Sequence, residues 1–178
     1  MKKYFFAVLF LCSFYTLPAQ SNYNVEKQQF KISILNPGFG YEVATGENTT
    51  VDLRLGTGLA LRGASNVKTE FGIFPFFEGQ YRWYYNFNRR KGKGKRTAHN
   101  SANYLALSST LVSGKPLLGN LEGNEGYWGN VGPVYGLQRT YKRGFNLNLE
   151  FGFGYSFDNL GNSGISPKIG FALGWVLK

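Results

Sequence analysis

The chain has 178 residues, a formal net charge of +10, one cysteine and one histidine. That length suits a single domain, and one cysteine cannot build a disulfide framework. A lone histidine also leaves a metal centre without companion ligands and a serine without a partnering base.

Residues 1–19 read as a secretory signal peptide. Lys2 and Lys3 form the charged start, residues 4–15 the apolar stretch, and Leu17-Pro18-Ala19 a cleavage site before Gln20. The apolar stretch is shorter than the ~20 residues a spanning helix needs. Cys12 follows Leu11 rather than a small residue, so lipidation is not expected. The mature chain, 20–178, then carries no cysteine, and removing Lys2 and Lys3 takes the charge from +10 to +8.

From residue 30 onward the pattern has period two, the signature of strands with one apolar face. Phe30, Ile32 and Ile34 lead into Asn36-Pro37-Gly38, which carries turn chemistry; read as a turn it gives eight strands, read as a kink seven. Phe39, Tyr41 and Val43 follow, then Val51, Leu53, Leu55, Leu59 and Leu61. A fourth segment runs through Phe71, Ile73, Phe77, Tyr81, Trp83, Tyr85 and Phe87. Leu105, Leu107 and Leu111 mark a fifth, and Tyr127, Val131, Tyr135 and Leu137 a sixth. The last two are the clearest: Phe145 to Phe157 and Ile165 to Leu177 place an apolar residue at every odd position.

Each long run matches a tilted transmembrane strand of ~9–11 residues. The opposite face is rich in glycine, alanine, serine and asparagine, which suits a crowded lumen better than a solvated exterior. Aromatics gather toward strand ends, as membrane girdles do. The expected fold is all-β: an eight-stranded antiparallel transmembrane β-barrel, an up-and-down meander occupying 20–178. An even strand count puts both termini on one side. On that side fall the turns 45–48 and 142–144 and the long connection 88–100; 63–69, 114–125 and 158–164 fall on the other. Outward positions such as Phe151 should reject charge, and a serine at inward Gly152 should be tolerated.

The run Phe77-Glu78-Gly79-Gln80-Tyr81-Arg82-Trp83-Tyr84-Tyr85, the stretch Gly38-Phe39-Gly40-Tyr41-Glu42 and the closing Ile169-Gly170-Phe171-Ala172-Leu173-Gly174-Trp175 carry a resemblance. Together they resemble small outer-membrane β-barrel proteins common in Bacteroidota, a largely uncharacterised family. The resemblance covers most of the mature chain and implies an outer-membrane location, contact with outer-membrane lipids, and insertion by the barrel-assembly machinery. Many such barrels end on an aromatic residue; this chain ends Trp175-Val176-Leu177-Lys178.

The strand register sends Lys31, Arg54, Arg62, Arg82 and Lys168 into the lumen against Glu42, Asp52, Glu70, Glu78 and Glu150. Charges in a narrow interior are costly unless paired, so five of each sign point to mutual neutralisation. The basicity is otherwise concentrated in Arg89, Arg90, Lys91, Lys93, Lys95 and Arg96. No aromatics interleave with it, so nucleic acid is not the expected partner. Anionic headgroups or an acidic periplasmic partner fit better. His99 lies beside this run, away from the side where lipid-modifying barrels place their catalytic sets. No enzyme activity, catalytic residue, metal or cofactor is therefore expected. The expected role is structural or interactive, with a narrow pore or small-ligand transport barrel as the alternative and a lipid-modifying enzyme below both.

Overall fold

The structure is a computed structural model that describes residues 23–63, 69–121 and 126–177; the expected signal segment, 1–19, lies outside them. Among the described residues nine strands form: β1 (Gln28–Ser33), β2 (Gly38–Gly46), β3 (Thr49–Arg62), β4 (Glu70–Trp83), β5 (Asn103–Ser113), β6 (Leu118–Gly119), β7 (Tyr127–Thr140), β8 (Phe145–Asp158) and β9 (Ser163–Leu177). Eight of them pair antiparallel in the order β1-β2-β3-β4-β5-β7-β8-β9, and β9 returns to β1 through Phe30↔Leu177 to Ser33↔Gly174. The sheet thus closes on itself as a ring. The ninth strand, β6, is a two-residue addition on β4 from the connection after β5. Sequence pattern misses it because two residues carry no period.

Asn36-Pro37-Gly38 is a turn and not a kink, since β1 and β2 pair from Ser33↔Gly38 back to Gln28↔Val43. The last turn of the ring is closed locally. Asp158 Oδ1 accepts from the backbone N–H of Leu160 and of Asn162, both at 2.9 Å. Both ends of the described ring, the 45–48 turn, the 142–144 turn and the β4–β5 connection share one end, here called the proximal end.

Apolar side chains point outward. Phe39, Leu55, Leu59, Leu107, Phe151, Phe153, Ile165 and Ile169 are all exposed. Toward the proximal end the outward face turns aromatic. Trp83–Tyr85, Tyr85–Tyr135, Tyr141–Phe145 and Phe145–Trp175 stand 5.7–6.4 Å apart between ring centroids. Tyr127 and Tyr155 lie toward the opposite, distal end. Among the described residues no helix is long and apolar enough to cross a membrane.

The fourth apolar run is shorter than its periodicity predicts. β4 stops at Trp83, Tyr84 turns inward to complete burial, and Phe87 begins a helix, α1 (Phe87–Gly92), with its ring buried. Phe87 therefore belongs to the interior and not to the outward aromatic set. The long connection expected over 88–100 holds all but the first residue of α1 and a 3₁₀ turn, Ala98–Asn100. Six residues are too few for a helical period to show in sequence.

Gly152 is a second correction. A Cβ there would stand 2.2 Å from the Pro133 carbonyl oxygen and 2.9 Å from Val134 Cα. Both are backbone atoms that cannot rotate away. Gly152→Ser is therefore expected to cost about 1–3 kcal/mol through backbone displacement, read as a lower urea midpoint than Gly164→Ser. An added Cβ at Gly164 meets nothing within 4 Å.

Candidate functional site

Inside the ring, polar residues replace the usual apolar core. Period-two register sends alternate residues of β1, β2, β3, β4, β8 and β9 inward, where eight of the ten expected lumen charges meet in one network. Lys31 bridges Glu42 at 2.5 Å and Asp52 at 2.6 Å. Arg54 bridges Asp52, Glu78 and Glu150 at 2.7, 3.1 and 2.5 Å. Arg82 reaches Asp52 at 3.1 Å, Glu150 at 3.3 Å and Glu42 at 3.7 Å, and its guanidinium lies 4.5 Å from the Tyr104 ring centroid. Lys168 pairs with Glu78. Four cations thus face four carboxylates. The remaining pair, Arg62 and Glu70, is 3.7 Å apart at the distal rim, where Arg62 is largely exposed, and does not join the network.

Neutral side chains complete the coordination. Glu42 Oε1 accepts from Thr50 at 2.7 Å, Tyr84 at 2.7 Å and Asn100 at 3.0 Å, while Gln29 donates to Oε2 at 2.5 Å. Glu150 accepts from Tyr104 at 2.6 Å and Gln80 at 2.8 Å. Gln138 Oε1 accepts from Lys31 at 3.1 Å and Arg82 at 3.2 Å. A buried charge is tolerable only when paired and hydrogen-bonded, and these partners supply those bonds. Sequence reasoning found the charges but not, as their partners, Gln80, Tyr84, Tyr104 and Gln138, whose inward phase was the available signal, nor Asn100, which lies in a 3₁₀ turn outside any strand period.

The proximal end is stoppered. Val25, Tyr84, Phe87, Ala102, Tyr104, Ala106 and Val134 form the one apolar cluster among the described residues. The 3₁₀ turn above it holds His99 and Asn100 at φ of 53° and 57°, in the left-handed region. That conformation is uncommon for residues other than glycine. It aims the Asn100 amide down onto Glu42 and presents the His99 carbonyl to Gln138 at 3.0 Å. His99 donates its backbone N–H to Glu26 at 3.1 Å, so the turn is tied to the chain before β1. Burial, and then the Glu42 carboxylate beside it, push the Tyr84 phenol well above its ordinary range. It stays a donor to Glu42 throughout the physiological range.

The distal half is open. A cavity of about 670 Å³ has Lys31, Arg54, Glu78, Glu150 and Lys168 at its floor. Phe74, Phe76, Val112 and Trp128 line one side; Gly56, Gly58, Ala60, Gly170 and Ala172 line the other.

The basic residues form a separate feature. Arg89, Lys91, Lys93, Lys95 and Arg96 are exposed at the proximal end, and Arg90 is half-buried. Arg90 donates to the Arg96 carbonyl at 3.0 Å, and Arg96 to the Tyr141 carbonyl at 3.2 Å. These bonds tie the run to the β7–β8 turn. Arg89, Arg90 and Lys91 sit in the last turn of α1, where cations offset its exposed carbonyls.

Comparison with protein-family models, curated proteins and solved structures finds no match to this chain.

Proposed function

We propose that the chain is an integral outer-membrane β-barrel of the small Bacteroidota kind, a sealed and non-conducting protein with a structural or interaction role. The observation that carries this reading is an inverted distribution of polarity. Among the described residues, 16 polar or charged side chains are buried against 10 hydrophobic ones, and 32 large hydrophobic side chains are exposed. A water-soluble ring would place that apolar surface inside. A lipid-facing belt with aromatic ends and a hydrated interior is what a bilayer selects.

The lumen supports the non-conducting half of the proposal. The network and the stopper occupy the proximal half, and Arg82, Glu42, Tyr84, Asn100 and Gln138 are each wholly buried there. Reconstituted into planar bilayers, the protein should give no steady single-channel current. A steady current that changes on neutralising Arg54, Glu78 or Arg82 would favour the pore instead. Purification as a soluble monomer without detergent would end the membrane reading.

An outer-membrane barrel with its termini inside would expose the basic run to the periplasm, opposite anionic headgroups or an acidic partner. Each Lys or Arg near such a surface contributes roughly 1 kcal/mol, screened by salt. Lys93→Cys in the mature chain should resist an impermeant maleimide in intact cells and react once the outer membrane is opened. Labelling in intact cells would place the run on the surface.

A further inference from the structure

The ring has a notch. β1 has 6 residues and β2 has 9, whereas β3 has 14 and β9 has 15. The β1–β2 hairpin therefore ends well short of its neighbours. Pairing between β2 and β3 ends at Gly38↔Gly56, and pairing between β9 and β1 ends at Ser33↔Gly174. Beyond these, Thr57 N–H donates to Pro37, Ile34 N–H to Leu173 and the Asn36 side-chain amide to the Phe171 carbonyl at 3.2 Å, and there the bonds between the hairpin and its neighbours end. From Gly58 to Arg62 and from Ser163 to Gly170, the two strands have no strand partner on their facing sides among the described residues. Leu173 accepts from Ile34 on this side, so by alternation Ile169, Pro167 and Ile165 present their backbone groups to the notch. Proline is tolerated where a missing N–H faces an unpaired edge, and Pro167 sits at such a place.

The cavity opens behind this notch. Most inward positions along both lips carry small side chains, Gly56, Gly58 and Ala60 on β3 and Ser166, Gly170 and Ala172 on β9, and Lys168 reaches from its lip down to Glu78. Gly58 is not required by close packing, because an added Cβ would meet only Phe76 Cδ1 at 3.8 Å. The space is left empty. Outward residues on the lips are apolar and highly exposed, with Ile165 at 83% and Ile169 at 85%. Apolar surface thus runs from the outer belt, across the lips, to Phe74, Phe76 and Val112 inside. The floor is charged, and its cations are the accessible members. Arg54, Lys168 and Lys31 side chains are 12–17% exposed, whereas Glu42, Asp52, Glu78 and Glu150 are 0–7%. Arg54 spends three of its five N–H donors on carboxylates.

From this we propose that the notch and cavity form a lateral binding slot for a single-chain amphiphile with a carboxylate head, its chain against Phe74 and Phe76 and its head toward Arg54. The proposal rests on the outer-membrane reading. Unpaired backbone is costly in hydrocarbon, so the distal lips around Ile165 and Pro167 belong where headgroups and water reach, while the base of the notch at Ile169 lies level with Phe151 in the belt, where a chain could slide in sideways.

The test uses the mature chain refolded into phosphatidylcholine vesicles and a palmitate analogue bearing a diazirine. Photolabelling should map to the inward peptide around Phe74 and Phe76. Palmitate should compete, and 1-hexadecanol, which has no charge, should compete about tenfold less well. Gly58→Trp should fill the slot and abolish interior labelling, with Ala60→Phe as the second variant. Labelling confined to outward residues such as Leu59 and Ile169 overturns the proposal, as does equal competition by hexadecanol. Cysteines at Gly58 and Gly170 that cross-link two copies would assign the lips to a second chain instead. Heat-modifiable migration and protease resistance in vesicles report the membrane reading separately. A chain that inserts yet fails to label loses only the slot.

Discussion

Replacing Arg82 by methionine should destabilise the protein by about 3–5 kcal/mol, the usual cost of stranding a buried ionic partner. Arg82 has no exposed surface and stands within 3.1–3.7 Å of Asp52, Glu150 and Glu42. Without it, four buried carboxylates face three cations, Lys31, Arg54 and Lys168, and Gln80 loses the donor 2.8 Å from its oxygen. Methionine fills the space against Tyr104 but supplies no donor. Arg82→Lys should lose less, because it keeps the charge while giving up the planar fork. The double variant Arg82→Met/Glu150→Gln should recover part of the loss by restoring the balance, a non-additivity that a mutant cycle measures. The readout is the urea midpoint of the vesicle-inserted protein, with heat-modifiable gel migration as a check on folding. An Arg82→Met midpoint equal to that of the parent would mean the interior is held by the strand ladder alone.

How much of this was legible in the sequence follows from which features have a period. Strand alternation in residues such as Phe145 to Phe157 specifies both the element and its outward face, because a one-residue slip would turn every side chain over. The same parity brings Lys31, Glu42, Asp52, Arg54, Glu78, Arg82, Glu150 and Lys168 into contact, although they come from six strands. Parity says nothing about height along the axis. Arg62 and Glu70 share the inward phase with the others, yet they sit at the distal rim and pair with each other. The stopper was illegible for a different reason. Phe87 and Asn100 leave the strand period and are placed by a short helix and by left-handed backbone at His99 and Asn100. The notch depends on unequal strand lengths, which only the pairing registers reveal.

Phe151→Arg is the variant whose sign separates a lipid-facing belt from a solvated one. Phe151 lies midway along β8, 60% exposed, with its ring 5.0 Å from Tyr135 and with Tyr135 and Ile169 opposite it on the flanking strands. In a bilayer an arginine there must be carried toward the midplane, at a cost of about 2–4 kcal/mol that falls to ~0–1 kcal/mol near the interfaces. Phe145→Arg, at the proximal end of the same strand beside Trp175, should therefore be nearly neutral. Neither site touches the interior network and each gives up aromatic packing, Phe151 on Tyr135 and Phe145 on Tyr141 and Trp175, so the contrast reports depth. In water the order would vanish. Exchanging an exposed phenylalanine such as Phe151 for arginine changes stability by less than about 0.5 kcal/mol at an ordinary surface site, so the midplane position would lose no more than half-buried Phe145. Paired urea titrations of the two variants in vesicles decide between these outcomes. A loss at Phe151 several times that at Phe145 supports a strand crossing hydrocarbon; equal and small changes would remove the belt from the membrane.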